Sequence, residues 1–143
     1  MNDPFDLKRF LDAQEPEYST VLSELRAGRK RSHWIWYIFP QLRGLGSSSM
    51  AQVYAIASIE EAQAYLKHPV LGPRLEECTA LVNRVEGHAI DEIFGFPDNL
   101  KFRSSMTLFA RAAEDSAPYK AALEKYFGGV PDPVTMNLLR QNE

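Results

Sequence analysis

The sequence predicts an all-α protein: one compact domain over residues 1–143, built from about eight short helices around one central helix. Three observations predict it. Apolar residues recur at i, i+3, i+4 and i+7 along most of the chain. Proline or a capping side chain repeatedly opens an apolar run, and glycine repeatedly follows one. The single strand-like run, His33–Phe39, has no partner run to satisfy its ladder groups.

Taken in order, Asp3-Pro4 starts a helix, with Asp3 as cap, and Leu7, Phe10 and Leu11 form its apolar face up to about Gln14. Glu15-Pro16 restarts the chain, and Tyr18, Val21, Leu22 and Leu25 keep helical spacing until Gly28. His33–Phe39 is read as helix, capped by Ser32 and ended by Pro40; Gly44 to Ser49 is read as loop. Ser58 and Glu61 form a capping box for a helix carrying Ile59, Ala62, Tyr65 and Leu66, which His68-Pro69 closes. Gly72-Pro73 opens the next, with Leu75, Cys78, Val82 and Val85 on one face. Ala89–Phe94 is a short helix ended by Gly95. The run from Asn99 to about Ala113 is apolar on nearly all sides, which marks the central, buried helix, with Asp98 as its cap. Ala117-Pro118 starts a helix that Gly128-Gly129 stops, and Asp132-Pro133 starts the last.

Composition narrows the function. The chain has 143 residues, 45% of them hydrophobic, and a net charge of −3. That is a packed domain, and its overall charge argues against nucleic acid and anionic membrane as partners. No run is long enough to span a bilayer, and no basic-then-apolar leader is present, so a cytoplasmic location is expected. The single Cys78 excludes an internal disulfide and reads as a buried, inert thiol. His33, His68 and His88 have no ligand spacing, and Gly44-Leu45-Gly46 lacks the strand and the Gly-Lys-Ser/Thr of a nucleotide loop, so no metal and no cofactor are implied. The chain carries no signal for oligomeric state.

One stretch reads as a site. From Leu25 to Ile59 there is no Asp or Glu, while Arg26, Arg29, Lys30, Arg31 and Arg43 are present together with both tryptophans. Asp3 to Glu24, by contrast, carries six acids against two bases. Arg29-Lys30-Arg31 before a capping Ser32 could assemble an anion site at a helix N-terminus, or be a solvated basic turn. His33, Trp34, Trp36 and Tyr37 could line a pocket, but neighbours on a helix point about 100° apart, so some must be core. Trp34 and Ile38 are assigned to the core, while His33 and Tyr37 share a more polar face. His33 is also a catalytic candidate, since it exchanges protons near neutral pH. Lys101, Ser104 and Ser105 lie at i, i+3 and i+4 on the central helix, where a lysine beside a serine could activate a nucleophile or hold a phosphate. Close helix packing around small serines is the plainer reading. Gln41 or Arg43 is expected to close the space between the two segments.

The stretches Lys30–Gln41, Gly44-Leu45-Gly46, Tyr54-Ala55-Ile56, Glu61–Leu66, His68–Gly72, Ile93-Phe94-Gly95 and Leu100–Phe109 resemble the domain of unknown function 1810 family. The resemblance spans almost the whole chain and implies a small, mainly helical fold; it brings no established activity. A looser similarity to the small helical NADAR proteins, linked to ADP-ribose and NAD metabolism, implies a phosphorylated ribosyl ligand. The expected function is recognition, and processing, of a small anionic, nucleotide- or ADP-ribose-like ligand by Lys30, His33, Trp36, Tyr37, Gln41, Arg43, Lys101, Ser104 and Ser105. The alternative is a non-catalytic domain that binds an acidic protein partner through the basic aromatic segment.

Overall fold

The computed structural model describes residues 2–141, and within them the chain forms ten helices. They are α1 (Lys8–Gln14), α2 (Tyr18–Arg26), α3 (Ile35–Ile38), α4 (Ser49–Val53), α5 (Ile59–Lys67), α6 (Leu71–Arg84), α7 (Ile90–Phe94), α8 (Asp98–Ala112), α9 (Ala117–Phe127) and α10 (Pro133–Gln141). The only strand-like pairing among the described residues is an isolated bridge between Leu42 and Ile56. In it the Gln41 carbonyl accepts from Ile56 N–H at 2.9 Å, and Arg43 N–H donates to the Ile56 carbonyl at 2.8 Å.

The central helix is α8, packed against α3, α5, α7, α9 and α10. Phe102, Ser104, Ser105, Met106, Thr107, Leu108, Phe109 and Ala112 are buried, so nearly every side of the helix faces protein. Around it, Phe39, Phe94 and Phe102 form a ring cluster: Phe39 meets Phe102 edge-on at 5.0 Å, and Phe94 stacks on Phe102 at 4.8 Å. Trp34 and Ile38 are fully or almost fully buried, as expected of the core pair.

The first helix starts at Lys8, not at Asp3-Pro4 as read: residues 3–7 form a turn, and Asp3 accepts from Leu7 and Lys8 N–H where the helix begins. Ser58 caps as read, its Oγ accepting from Glu61 N–H at 3.2 Å. Glu61 reaches back one residue further than the usual box, to Ala57 N–H at 3.0 Å. Its other oxygen meets Arg9, a buried ion pair of 2.8 Å. The Arg9 guanidinium also donates to the carbonyls of Phe5, Asp6, Val53 and Ala55, joining the N-terminal segment to the α4–α5 connection.

Two further elements differ from expectation. Ser48, read as loop, caps the short helix α4 by accepting from Ala51 N–H at 3.2 Å. The helix expected over His33–Phe39 contracts to Ile35–Ile38, because Trp34 and Phe39 flank it with φ near −125° rather than helical values. His33 therefore lies outside the helix and does not share a face with Tyr37.

Candidate functional site

The basic aromatic strip is held in place by two carboxylates that lie outside it. The first is Glu24, on the last turns of α2. Gly28 ends that helix with a φ of +73°, a conformation that favours glycine, and turns the chain back along the helix end. Glu24 then accepts from Arg31 N–H (2.8 Å), Ser32 N–H (3.0 Å), Ser32 Oγ (2.6 Å) and Trp34 Nε1 (2.9 Å). Burial pushes the Glu24 carboxyl up, but these bonds, led by the Ser32 hydroxyl, outweigh it and hold the pKa at about 2. Ser32, expected to cap a helix, instead serves this clamp.

The second carboxylate is Asp98, in the first turn of α8. Its side chain caps nothing, which corrects the expectation for it. Lys30 Nζ approaches one oxygen at 2.7 Å and Lys101 Nζ the other at 3.6 Å. The three side chains are 6%, 19% and 25% exposed for Lys30, Asp98 and Lys101. Each ammonium also stands over an indole: Lys30 lies 5.2 Å from the Trp34 ring centre, and Lys101 lies 4.8 Å from that of Trp36. Lys30 N–H donates to the Ile93 carbonyl at 2.7 Å, so α7 fixes the same segment from the other side. Strip and central helix therefore do meet, through Lys30 and Trp36 on one side and Lys101 on the other.

The remaining residues named from the sequence scatter. Helical side chains lean toward the N-terminus, so Lys101 reaches back to Asp98 and away from the serines that follow it. Ser104 Oγ donates to the Leu100 carbonyl at 3.0 Å, and Ser105 is fully buried with a hydroxyl that has no partner. Neither is arranged as a nucleophile beside the lysine. Tyr37 packs on Tyr54 with ring centres 5.4 Å apart, and its carbonyl accepts from the buried Gln14, so it belongs to the α1–α4 side. Arg43 opens onto a separate depression of about 400 Å³ with Arg9, Phe5 and Glu61. Gln41 contributes its backbone to the bridge. His33 is exposed and makes no hydrogen bond or ion pair among the described residues. Lys101 finds its counter-charge in Asp98, three residues before it on α8 and outside the acid-free strip.

A surface cleft of about 540 Å³ adjoins the strip between the α2 terminus and α7, lined by Gly28, Arg29, Lys30, His88, Asp91 and Glu92. Within it His88 and Glu92 approach at 3.6 Å, and Glu92 also accepts from Ala89 N–H. The Arg29 and Arg31 guanidiniums are exposed and form no ion pair among the described residues. Cys78 is buried, and burial pushes its thiol up to about 12, so it is no nucleophile at neutral pH. Among the described residues no group of three or more His, Cys, Asp or Glu is placed to hold a metal ion. No helix among them is long and apolar enough to cross a membrane.

The sequence reading missed Glu24 and underestimated Asp98. Asp98 had a signal, since Asp98 and Lys101 stand at i, i+3 on a predicted helix. Glu24 had none, because its partners lie seven to ten residues ahead, across a turn.

No curated protein matches the chain. Among solved structures it is similar to the conserved hypothetical protein Rv1873 from Mycobacterium tuberculosis, at 63% identity over 96% of this chain and 99% of that one, with a TM-score of 0.96. The model of the family described as "Protein of unknown function (DUF1810)" matches residues 4–139, and the chain belongs to that family.

Proposed function

We propose that the protein recognises a small anionic ligand, of nucleotide or ADP-ribose type, where the Arg29–Trp36 strip meets the start of α8. One observation carries this reading: Lys30 and Lys101 share a single carboxylate, Asp98. Two ammoniums on one acid leave a surplus positive charge in a partly desolvated place, where a phosphate gains more than it would in water. The exposed guanidinium of Arg29 extends that charge toward the adjoining cleft, and that of Arg31 is exposed on the same strip. The serines are engaged or buried, so the arrangement supports binding, and no reaction is assigned.

The test is calorimetric titration of ADP-ribose and of inorganic phosphate into the wild-type protein and two variants. Lys101→Met is expected to weaken binding about tenfold, roughly 1.4 kcal/mol, and Asp98→Asn to strengthen it, because that change removes the competing internal anion. A saturating ligand at about 100 times its Kd should also add about 2.7 kcal/mol of stability. If neither probe binds, or if Asp98→Asn weakens binding while the fold is intact, the reading is wrong.

A second reading, a surface for an acidic protein partner, is favoured by Phe96 and Leu100. They are 78% and 46% exposed and flank the start of α8 beside the same charge cluster. A partner covering them would lose affinity with Phe96→Ser, whereas a phosphate bound at the lysines would not.

A further inference from the structure

The cleft between the α2 terminus and α7 carries unpaired charge of both signs. Arg29 lines it from the α2 end and Asp91 lines it from α7. Both residues are exposed, and neither side chain makes a hydrogen bond or ion pair among the described residues. The neighbouring acid is different. Glu92 accepts from Ala89 N–H with one oxygen and approaches His88 Nδ1 at 3.6 Å with the other, so both oxygens serve α7 itself. That leaves Asp91 as the free side-chain acceptor of the cleft.

An acid placed here works against a ligand that is anionic throughout, because it would repel one end of it. A ligand with an anion at one end and N–H donors at the other suits both Arg29 and Asp91. The cleft, at about 540 Å³, falls within the range of small-ligand pockets and is far larger than a phosphate group alone needs. Its walls leave room for a flat group, since Ala27, Gly28 and Gly95 are small. Between them stands the His88 ring, steadied at two points. Its Cδ2 lies 3.6 Å from where a Cβ on Gly28 would be, and its Nδ1 faces Glu92. The ring is still half-exposed, and an imidazole is among the rings on which bases stack. A carboxylate, for its part, reads a base by accepting from an exocyclic amino group.

We propose that this cleft holds the base of the ligand, an amino-bearing purine, stacked on His88 with its amino group donating to Asp91. The phosphate end then points past Arg29 toward the Lys30–Asp98–Lys101 cluster. The base site rests on the anion reading above, since one ligand occupies both.

Three probes separate the two. AMP, purine riboside 5′-phosphate, which lacks only the amino group, and ribose 5-phosphate, which lacks the base, are titrated calorimetrically into the full chain. AMP should bind about tenfold tighter than purine riboside 5′-phosphate, and ribose 5-phosphate should bind weakest. In Asp91→Ala the two nucleotides should bind alike, while ribose 5-phosphate is unaffected or tightened. His88→Ala should weaken both nucleotides about fivefold and leave ribose 5-phosphate unchanged. Equal affinity of the wild type for AMP and purine riboside 5′-phosphate overturns the base site, and leaves the anion reading standing if ribose 5-phosphate binds. A preference for AMP that survives in Asp91→Ala overturns it as well. If none of the three binds, both readings fall together.

Discussion

At the scale of single residues, the most consequential side chain is Glu24, which turns one carboxylate into four hydrogen bonds and sets the path of residues 31–34. Removing it as Glu24→Ala leaves Trp34 Nε1 without its acceptor and should cost about 2–3 kcal/mol at neutral pH. The pH dependence follows from the depressed pKa. Because the folded value of about 2 lies below the ordinary glutamate value of 4.5, the contribution is fully present above 4.5. It fades as pH falls toward 2, so urea melts of wild type and variant should differ most above about pH 5 and converge in acid. Ser105 makes the opposite case. Its buried hydroxyl has no partner, so Ser105→Ala should be neutral or stabilise by up to about 1 kcal/mol in the same melts. A marked loss of stability would mean that the hydroxyl has a role the structure does not display. Both residues lie beyond what pattern reading reaches: helical spacing suggests a face, but a face does not say which hydrogen bonds a side chain finds.

At the scale of elements, the turn from α5 to α6 depends on closeness rather than on conformational freedom. A Cβ on Gly72 would fall well inside van der Waals contact of the Leu66 backbone carbonyl, which has no flexible end to move aside. Gly72→Ala should therefore cost about 2–3 kcal/mol despite the better helix propensity of alanine, as a thermal or urea melt would record. Helix starts and stops were legible because each has a local cause: Asp3, Ser58 and Asp132 cap, and Gly28, Gly95 and Gly128 end, through groups within a few residues. The segment around Trp34 was less legible. Six apolar or aromatic residues in a row show burial but no period, and the helix there lasts only four residues, Ile35–Ile38. Reasoning from faces therefore put His33 and Tyr37 together, while the structure separates them.

At the scale of the molecule, contacts between distant segments decide what the sequence could not show. Lys30 and Asp98, and Arg9 and Glu61, are far apart in the chain, and nothing in local composition pairs them. An acid-free strip suggested a charge in need of a ligand; its counter-charges arrive instead from α2 and α8. Arg9 illustrates the energetic weight of such a link. Its guanidinium meets one nearly buried carboxylate and four backbone carbonyls, so Arg9→Ala strands several acceptors at once. A loss of about 3–5 kcal/mol is expected in urea melts, the range for breaking a buried pair by removing one partner.

Arg9 thus does for this single-cysteine chain what a crosslink does elsewhere, and it does so without oxidation. A clasp of that kind is indifferent to reductants, yet open to imitation. Guanidinium ion in solution presents the same planar fork of donors to the carbonyls of Phe5, Asp6, Val53 and Ala55, so that denaturant competes for the clasp as well as solvating the unfolded chain. Urea, uncharged, cannot also replace Arg9 at Glu61. The N-terminal segment should therefore loosen in guanidinium chloride before the rest of the molecule, and remain attached until global unfolding in urea.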